Sequence, residues 1–518
     1  MQIPAGSQRD LMGLHDFTFY DIIRRNAEYF GEKVAWHEIE QDRTISFRLF
    51  KEDVDCLAGG LRKAGLKRGD RIGLLGKNCL EYFMLYGAAS ALGAIVLPVN
   101  WRLSPDEICF NLNDCEPRLL FAGEEFQGII KESKGKLKSV DRFYNLNLDR
   151  GGFTDIGSLM NPHTDFQPDD VSSDDGFAIM YTAAVEGRPR GALLSHNNII
   201  LASMHFGDLF DLKPNDVHLN FLPLFHVGGL FMVITCFHNG ALNINARGFD
   251  AERAVDIIHD SKVSIMMEFS PMLSSILDQK EKSGKNLDSL RAVAGIDSRE
   301  TIERYQQITG GNFYSLYGQT ETSCVVFSGA YNERPGSAGR MMPLADVRIV
   351  DDYDCRLPTE KVGEIVVRGP MVFKGYWNKK GDTDYTFRDG WHHTGDMGYL
   401  DSDGFLWYAG RKPEKELIKP GGENVYPAEV EKIILQHPFI EKCAVFGVPD
   451  PKWKEGIKAV CQLKTGKNLE EKGLIDFVGE RIARYKRPQY VEFVDEMPLK
   501  EDGSVDRIKV KEKFGRAD

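Results

Sequence analysis

The 518-residue sequence predicts an α/β fold, with a large layered α/β N-terminal domain and a small α+β C-terminal domain. Three observations favour this fold. The chain is too long for one ordinary hydrophobic core, helical and extended patterns alternate through its first part, and the pattern changes after Arg411. Alternating helices and strands indicate sheets that are covered by helices. We therefore predict domains at residues 1–410 and 411–518.

The N-terminal part of the chain alternates between helical and extended periodicity. Apolar residues recur at helical spacing over 19–30, and residues 33–39 (KVAWHEI) then alternate as in a half-buried strand. Residues 104–107 (SPDE) combine a helix N-cap, a proline at the first helical position and a capping-box glutamate. The apolar run that follows this helix, 118–123 (RLLFAG), is typical of a buried strand.

The last part of the chain is rich in Lys and Glu and has its own sequence of elements. Residues 428–437 predict a helix, 443–448 and 459–463 predict strands, and 474–485 predict a second helix. These elements indicate a separate α+β unit, joined to the larger domain near residues 410–415.

Composition excludes several classes of protein. With 42% hydrophobic and 27% charged residues, the chain is expected to be globular rather than disordered. A formal net charge of -12 argues against a nucleic-acid partner, which needs a positive field. The nine cysteines are scattered and never spaced C-x-x-C, a pattern of reduced thiols without a metal signature.

We expect a cytoplasmic protein without a transmembrane segment. The start of the chain, MQIPAGSQRD, lacks the basic and apolar regions of a secretory signal. Residues 82–99 are uncharged and approach the length of a membrane span, but glycines and Pro98 interrupt them. A buried helix followed by a strand is the favoured interpretation.

Two segments combine residue types that suit a nucleotide. Residues 181–191 (YTAAVEGRPRG) lie between a strand-like and a helix-like run and carry two arginines, as in a phosphate-binding turn. An exposed basic loop explains them equally well. Residues 317–322 (YGQTET) offer a ring to stack on a base, hydroxyls for a phosphate and a carboxylate for Mg²⁺. A purely structural turn is the alternative.

Two further segments offer ligand-binding groups. In residues 391–396 (WHHTGD), Asp396 after a glycine suits a bidentate grip on ribose hydroxyls. The adjacent histidines do not predict a shared metal, because neighbouring residues of a strand point to opposite faces. The pair Gly421–Gly422 permits a ligand to approach the backbone closely.

Taken together, the segments resemble the adenylate-forming superfamily of enzymes. YGQTET (317–322), GEIVVRGP (363–370), HTGD (393–396) and GR…GGENVYPAEVE (410–431) occur in the family's order and at its separations. The similarity extends from about Phe17 to the C-terminus. The family includes acyl- and aryl-CoA synthetases, peptide-synthetase adenylation domains and beetle luciferases. The resemblance implies an enzyme that activates a carboxylic acid with ATP, through an acyl-adenylate, and transfers the acyl group to coenzyme A.

The resemblance also implies roles for individual residues. Tyr317 would stack on adenine, Thr320 would contact the α-phosphate and Glu321 would bind Mg²⁺. Asp396 would hold the ribose hydroxyls, with Arg411 as a second ribose or phosphate contact. The implied nucleotide-binding set is Thr182, Arg190, Asp297, Tyr317, Gln319, Thr320, Asp396 and Arg411. The implied catalytic set is Thr320, Glu321 and His226.

Other roles follow from the same resemblance. His226, in PLFHVGG, matches the residue at the mouth of the acyl pocket, and a satisfied histidine in a glycine-rich turn is the alternative. The implied acyl pocket is His226, Val227, Gly228, Gly295 and Gly318. The implied CoA-binding set is Gly421, Gly422 and Lys486. Lys454 is a second candidate for CoA phosphates, and both lysines are equally compatible with a solvated surface. The C-terminal domain would be mobile, rotating between two half-reactions.

The chain departs from the family pattern in its phosphate loop. The family usually has T-S-G-T-T-G-x-P-K-G, whereas residues 182–191 read TAAVEGRPRG. Arg190 replaces the lysine and retains bidentate phosphate binding. Glu186 replaces a hydroxyl and would repel the β- and γ-phosphates unless a cation intervenes. Residues 294–297 (AGID) also differ from the usual G-G-A-P, which predicts an altered adenine pocket.

Two more departures affect the C-terminal domain. The family has its adenylation lysine directly after a glycine, where this chain has Ser504, with Lys500 and Arg507 as the substitutes considered. The loss of such a cation costs ~3–4 kcal/mol of transition-state stabilisation by analogy with oxyanion donors. At the hinge, Pro413 occupies the pivot position and fixes φ, so we predict that Glu414 or Lys415 is the pivot.

These observations predict an AMP-forming carboxylic acid–CoA ligase that uses Mg²⁺, with ATP/AMP and CoA as co-substrates. The expected acid is apolar and medium-length, alicyclic or aromatic, and the reaction is expected to be reversible. The alternatives are an adenylation enzyme that loads a separate carrier protein and a nucleotide- or acyl-adenylate-binding protein with lost catalysis. A homodimer is the oligomer considered, and a nucleic-acid partner is not expected.

Overall fold

The computed structural model describes residues 17–147, 152–160, 166–182, 189–412, 417–420, 423, 425–451, 453–500 and 503–516. Part of the predicted phosphate loop, 183–188, lies outside these residues. The same holds for the predicted hinge residues Glu414 and Lys415 and for the predicted CoA-binding residues Gly421 and Gly422.

The helices are numbered in chain order. They are α1 Phe19–Tyr29, α2 Phe47–Lys63, α3 Leu80–Ala91, α4 Pro105–Cys115, α5 Gln127–Ser133, α6 His196–Leu209, α7 Val227–His238, α8 Ala251–Ser261, α9 Met272–Ser283, α10 Arg299–Thr309, α11 Lys380–Thr386, α12 Pro427–Ile434, α13 Glu471–Gly479 and α14 Arg507–Phe514.

The strands of the larger domain are β1 Val34–Glu38, β2 Arg43–Ser46, β3 Arg71–Leu75, β4 Ile95–Pro98, β5 Leu119–Ala122, β6 Arg142–Asn145, β7 Gly176–Thr182, β8 Arg190–Ser195, β9 Val217–Asn220, β10 Leu242–Asn245, β11 Ile265–Phe269, β12 Ala292–Ile296, β13 Asn312–Tyr317, β14 Phe327–Ala330, β15 Arg340–Met341, β16 Asp346–Val350, β17 Gly363–Arg368, β18 Gly375–Tyr376, β19 Phe387–Arg388, β20 Trp391–Leu400 and β21 Leu406–Arg411. Those of the smaller unit are β22 Ile440–Asp450, β23 Lys454–Leu463 and β24 Tyr490–Val494.

Two large sheets organise the N-terminal part. One has the order β15-β14-β13-β12-β11-β9-β10-β1-β2 and the other β18-β8-β7-β4-β3-β5-β6. The main core joins residues of both sheets with those of α1, α2, α3, α6 and α7, so these helices lie between the sheets. A third sheet, β16-β17-β20-β19 with β21 paired to β20, covers one end.

Helix α7 shows why the middle layer is buried. Its sequence, VGGLFMVITCFH, is apolar on all faces, and eleven of its residues are buried. A helix that is apolar all round must be covered on all sides. The outer helices α8, α9 and α10 instead bury one face against the far side of the nine-stranded sheet.

The C-terminal unit has a three-stranded sheet, β22-β23-β24, with its own core. Helices α12 and α13 pack on one face and α14 on the other. The α/β architecture, with a large N-terminal and a small C-terminal part, confirms the predicted fold class. The boundary at Arg411, the last residue of β21, stays a prediction.

Local predictions agree well with these elements. Ser104 caps α4 in a capping box, with the serine and Glu107 each bonding the other's backbone. Residues 82–99 fall in α3 and β4, which are buried throughout. The second C-terminal helix is shorter than predicted: α13 ends at Gly479, and residues 484–486 form a separate 3-10 turn. Within the described residues, no helix combines the length and apolar composition needed to cross a bilayer.

Candidate active site

Two cavities meet where the two parts of the chain face each other. The first, of about 500 Å³, is called the thiol cavity here and is lined by Lys77, Asn78, Pro98, Asn100, Trp101, Arg102, Leu103, Asn111, Met180, Tyr181, Thr182, Pro189, Phe221, Leu222, Pro223, Phe225, His226, Val227, Arg247, Gly248, Phe249, Phe269, Ser270, Pro271, Met272, Thr320, Glu423, Tyr485 and Lys486. The second, of about 310 Å³, is called the nucleotide cavity and is lined by Thr182, Arg190, His226, Val227, Phe269, Ser270, Ile296, Leu316, Gly318, Gln319, Thr320, Glu321, Cys324, Tyr376, His392, Thr394, Arg411, Lys419, Tyr426, Trp453, Lys454 and Glu455.

The two cavities share one wall. Its residues are Thr182, His226, Val227, Phe269, Ser270 and Thr320. A molecule bound at this wall is accessible from both cavities at once. Because the wall is shared, a ligand in one cavity and a ligand in the other can reach the same point.

Glu321 lies on the nucleotide side of the shared wall, in a 3-10 turn that directly follows Gln319. Its Oε1 accepts hydrogen bonds from the Thr182 hydroxyl at 3.1 Å and the Tyr376 hydroxyl at 2.9 Å. The Arg190 guanidinium stacks on the same tyrosine, 4.1 Å from the ring centroid. The arrangement places one carboxylate, two hydroxyls and one guanidinium together, which is a donor and acceptor set suited to phosphate oxygens and a cation.

Asp396, within β20, and Tyr317, at the end of β13, form a second group. The Tyr317 hydroxyl donates to Asp396 Oδ2 at 2.9 Å, and the Gln319 amide donates to the same oxygen. Arg411 Nε lies 2.8 Å from Asp396 Oδ1 without the alignment of a hydrogen bond, so Oδ1 still has no hydrogen-bond donor. A buried carboxylate oxygen without a donor suits a ligand hydroxyl.

The donor set of the nucleotide cavity is compatible with Mg²⁺. This ion usually binds one or two carboxylates together with substrate phosphates and water. Glu321 supplies one carboxylate and Thr182 a hydroxyl, both facing the cavity. Among the described residues, no cluster of three or more acidic, His or Cys side chains forms a complete metal cage. A phosphate-bearing ligand would have to supply the remaining oxygens.

His226 stands at the shared wall as the N-cap of α7. Its Nδ1 accepts a hydrogen bond from the Gly228 backbone at 3.2 Å, and its ring meets Phe269 edge-on at 6.1 Å between centroids. Burial lowers the pKa of His226, so the imidazole is neutral at pH 7. The capping bond satisfies one nitrogen and fixes the ring at the mouth of both cavities.

The predicted acyl-pocket glycines occupy different positions. Gly318 lines the nucleotide cavity, and a Cβ there would lie 2.1 Å from the Cys324 carbonyl oxygen. Gly295 and Gly228 are not among the lining residues. A Cβ on Gly295 would lie 2.3 Å from the Glu268 carbonyl oxygen, so this glycine serves strand packing.

The paired histidines point away from each other, because successive side chains of strand β20 lie on opposite faces. His392 lines the nucleotide cavity and bonds Thr386, whereas His393 Nδ1 lies 3.2 Å from Glu364. Although burial opposes it, His393 and Lys412 lower the pKa of Glu364 to about 2. These contacts are those of structural residues.

Lys486, predicted to contact CoA, occupies a buried position between the two parts of the chain. Its Nζ lies 2.6 Å from Glu107 on α4 and 2.8 Å from Glu429 on α12. Arg102 and Glu423 form another ion pair across the same interface. In this arrangement the Lys486 charge is already neutralised, although the residue lines the thiol cavity. Its contact with CoA stays a prediction.

The segment that replaces the family's adenylation lysine lies away from both cavities. Ser504 belongs to a tight hairpin in which Leu499 and Val505 pair, and the Lys500 backbone donates to the Ser504 carbonyl. Arg507 pairs with Glu431 and donates to the Val445 carbonyl at 2.6 Å, inside the small domain. None of these residues lines the two cavities.

Several lining residues were not predicted from the sequence. Trp101, Arg102, Arg247 and Phe249 line the thiol cavity, and Tyr376 lines the nucleotide cavity. Tyr376 is the last residue of β18, and the other four lie in loops that follow β4 and β10. None belongs to a local motif, and a pattern search could at best have used the positions of those four just after a strand, where loops often carry ligand-binding groups.

Comparison of the chain with known protein families, sequences and structures agrees with this geometry. The AMP-binding enzyme family matches residues 23–377, and the AMP-binding enzyme C-terminal domain matches residues 429–503. An indoleacetate–CoA ligase of Aromatoleum aromaticum is 33% identical over 92% of this chain and 94% of its own. A fatty acid–acyl-carrier-protein ligase of Streptomyces coeruleorubidus is 31% identical over 92% of both chains. A solved double mutant of the o-succinylbenzoate CoA synthetase of Bacillus subtilis superposes with a TM-score of 0.84 at 26% identity, covering 96% of this chain and 98% of that one.

These similarities extend across both parts of the molecule. The first family match alone spans more than half of the chain. The curated relatives are of nearly the same length and are aligned almost throughout. The chain therefore belongs to the AMP-binding, adenylate-forming enzyme family and is an acid–thiol ligase of the acyl- and aryl-CoA synthetase class.

Proposed function

We propose that the protein joins an apolar carboxylic acid to coenzyme A, with ATP converted to AMP and pyrophosphate through an acyl-adenylate. The shared wall of the two cavities carries this proposal. An acyl-adenylate whose carbonyl carbon lies at Thr320 and His226 would be open to a thiol from the other side. Thioester formation needs this arrangement, because the thiol must reach the carbonyl carbon from a side that the departing AMP does not occupy.

The nucleotide cavity supports the first half-reaction. The carboxylate oxygen of the acid attacks the α-phosphorus of ATP, and pyrophosphate leaves. Thr320 and Arg190 are proposed to bind phosphate oxygens, and Asp396, held by Tyr317 and Gln319, to accept from the ribose hydroxyls. Arg411 beside Asp396 completes the proposed set.

Mg²⁺ would be held by Glu321 and by oxygens of the phosphates. The ion would neutralise charge that develops on the leaving pyrophosphate. Thr182 and Tyr376 fix the carboxylate from the protein side through hydrogen bonds to Oε1, which leaves Oε2 for the ion. This division between a fixed and a coordinating oxygen supports the assignment.

The acyl end of the nucleotide cavity determines the class of acid that we propose. Val227, Phe269, Leu316, Gly318 and Cys324 line it, and none carries a charge. A second carboxylate at the distal end of the acid would be desolvated without a partner. We therefore propose an aromatic, alicyclic or medium-length apolar acid rather than a dicarboxylic one.

The thiol cavity supports the second half-reaction. The thiolate of CoA adds to the acyl carbonyl carbon, and AMP leaves. Lys77, Arg102 and Arg247 line this cavity together with aromatic side chains of Trp101 and Phe249. Cations suit the CoA phosphates and aromatic rings suit its adenine. This combination favours CoA over a bare protein thiol.

The orientation of the small domain fits the thiol-transfer half-reaction. Tyr426, Lys419 and Glu455 from this domain face the nucleotide cavity, whereas the Ser504 hairpin does not. In the family that the chain resembles, the lysine at the position of Ser504 serves adenylation, and here this position does not line the cavity. We therefore propose that the present arrangement is the one that forms the thioester.

The test is an assay of AMP release with a panel of acids in the presence and absence of CoA. The panel contains benzoate, indole-3-acetate, cyclohexanecarboxylate, octanoate and palmitate, with malonate as the charged control. We expect CoA-dependent AMP release with at least one apolar acid and none with malonate. Acyl-CoA formation is confirmed by mass spectrometry of the product.

Two outcomes would replace this proposal. AMP release that needs a carrier-protein thiol, and ignores CoA with every acid, would identify a carrier-loading enzyme. Nucleotide binding by calorimetry without turnover in either direction would identify a binding protein, an interpretation that the Ser504 position and the altered phosphate loop favour.

A further inference from the structure

The hairpin between β22 and β23 contains an unusual residue. Lys454, the first residue of β23, adopts φ = 63°, in the left-handed region that glycine normally occupies. A non-glycine residue there carries a conformational cost, and the turn of a hairpin is where glycine would most easily be accommodated. A lysine at this position therefore needs an explanation in terms of its side chain.

The Lys454 side chain makes an ion pair across the domain interface. Its Nζ lies 2.8 Å from Asp297 Oδ1, which follows β12 in the large domain. The Asp297 side chain is 1% exposed, and its second carboxylate oxygen has no hydrogen-bond partner. The pair thus joins the tip of the mobile domain to the rim of the nucleotide cavity, beside Ile296.

The surroundings of Asp297 make Lys454 its main counter-charge. Glu268, on the neighbouring strand β11, is fully buried, and neither of its carboxylate oxygens has a hydrogen-bond partner. Burial and the nearby Asp297 raise the pKa of Glu268 well above its usual range, so this acid is neutral. Among the described residues, no other cation forms an ion pair with Asp297. Lys454 is therefore the cation that meets Asp297, and it comes from the other domain.

We propose that Lys454 is a positioning residue that holds the small domain over the nucleotide cavity by pairing with Asp297. The proposal rests on the proposed function, because it assigns this arrangement to thioester formation. The pair can exist only while the two domains face each other as they do here. It therefore favours this arrangement over any in which the hairpin has moved away.

The consequence is a selective effect on one half-reaction. Removing the pair lowers the population of the present arrangement and slows transfer of the acyl group to CoA. A partly exposed ion pair supports an effect of about fivefold. In Lys454→Gly, the first half-reaction, which does not use this arrangement, is expected to keep its rate within about twofold.

The variant Lys454→Gly tests the proposal, because glycine is at least as well suited to the backbone conformation and folding is preserved. Single-turnover transfer from the preformed acyl-adenylate to CoA is expected to slow about fivefold. Asp297→Asn is expected to slow it similarly, and the double variant no further, since both remove the same pair. Lys454→Arg is expected to retain the wild-type rate of transfer.

The matched control is Lys262→Gly. Lys262 also has a left-handed backbone, with φ = 54°, at the C-cap of α8, and no ion pair of its side chain occurs among the described residues. This variant relieves the same kind of strain without touching the interface. It is expected to transfer the acyl group at the wild-type rate.

A second readout is independent of activity. Fluorescence energy transfer between dyes at the exposed positions Tyr353 and Ile508 reports the separation of the two domains. Lys454→Gly is expected to shift this signal, and so is high salt in the wild-type protein. An unchanged signal together with a raised KM for CoA would overturn the proposal in favour of a CoA contact. If the wild type forms no acyl-CoA at all, the proposed function fails, while the fluorescence comparison still tests the pair.

Discussion

Glu321 presents a carboxylate to the nucleotide cavity with one oxygen already engaged. Thr182 and Tyr376 donate to Oε1, so the side chain is oriented before any ligand binds. Pre-orientation of a metal ligand by neighbouring hydrogen bonds strengthens binding of the ion. The residue was predicted from its place in YGQTET, but its partner Tyr376 was not.

Substitution of Glu321 should separate nucleotide binding from turnover. In Glu321→Gln, the amide is a poor Mg²⁺ ligand and the two donated hydrogen bonds remain possible. We expect turnover to fall by at least about 100-fold, with nucleotide affinity in the absence of Mg²⁺ little changed. Chelation of Mg²⁺ should abolish wild-type activity, so that the turnover of the two proteins no longer differs. Wild-type-like turnover of the variant at limiting Mg²⁺ would contradict the metal assignment.

Ser504 offers a complementary gain-of-function test. The residue is exposed on its hairpin, so a longer side chain can be accommodated. If the missing lysine limits adenylation, Ser504→Lys should raise the rate of pyrophosphate release by up to ~100-fold. The measurement is the pre-steady-state burst of pyrophosphate, with Ser504→Ala as the control. An unchanged burst would mean that another cation already serves this step.

At the scale of elements, parallel strands gather the site. Strands β12 and β13 run side by side with Gly295 opposite Ser315, so Asp297 and Tyr317 emerge at neighbouring carboxyl ends. Ligands in α/β sheets commonly bind at this edge. Helix α7 contributes its N-terminus at the same place through His226. The motif residues are thus brought together by sheet order rather than by proximity in the chain.

The strand β9 makes a pH-dependent contribution to stability. His218 is 1% exposed, and its Nδ1 lies 2.7 Å from Asn243 Oδ1 on β10. Burial lowers the pKa of His218 to about 4. Since the unfolded chain binds a proton below about pH 6.5 and the folded chain does not, this contribution is full above pH 6.5 and is lost as the pH falls towards 4.

The variant His218→Gln tests the direction of this pH dependence. It should be less stable than the wild type at pH 7.5, because the buried hydrogen bond to Asn243 is disturbed. Below about pH 6 the difference in free energy of unfolding between the two proteins should narrow by up to about 1.4 kcal/mol per pH unit. Thermal midpoints at pH 7.5 and 5.5 measure the gap, with His37→Gln as the control for loss of an imidazole near the surface. A gap that widens at pH 5.5 would reverse the interpretation.

At the scale of the whole molecule, charged pairs fix how the two parts meet. Lys486 bridges Glu107 and Glu429, Arg102 pairs with Glu423, and Lys454 pairs with Asp297. Several interactions that form together favour one orientation over its alternatives. We propose that one orientation supports thiol transfer and another adenylation, so that the balance between them controls which half-reaction is fast.

We predict that the overall reaction is reversible. The altered phosphate loop and Ser504 act on the adenylation step, whose transition state is the same in both directions, so they change the forward and reverse rates of this step alike. With acyl-CoA, AMP and pyrophosphate in excess, we expect ATP formation at a rate comparable to that of the forward reaction. A luciferase-coupled ATP assay measures it, and omission of pyrophosphate is the control. Absence of ATP with an acid that is active in the forward direction would count against this reversibility.

The fold class, the family resemblance and the contiguous site segments could all be inferred from the sequence. Capping signals, apolar periodicity and motifs such as YGQTET depend on residues close together in the chain, and local chemistry is sufficient to recognise them. The thiol cavity, the bond from Tyr376 to Glu321, the neutralised Lys486 and the pair of Lys454 with Asp297 were decided by the tertiary structure alone. These contacts join residues that are distant in the chain. Their partners depend on strand order and domain orientation, which no local pattern specifies.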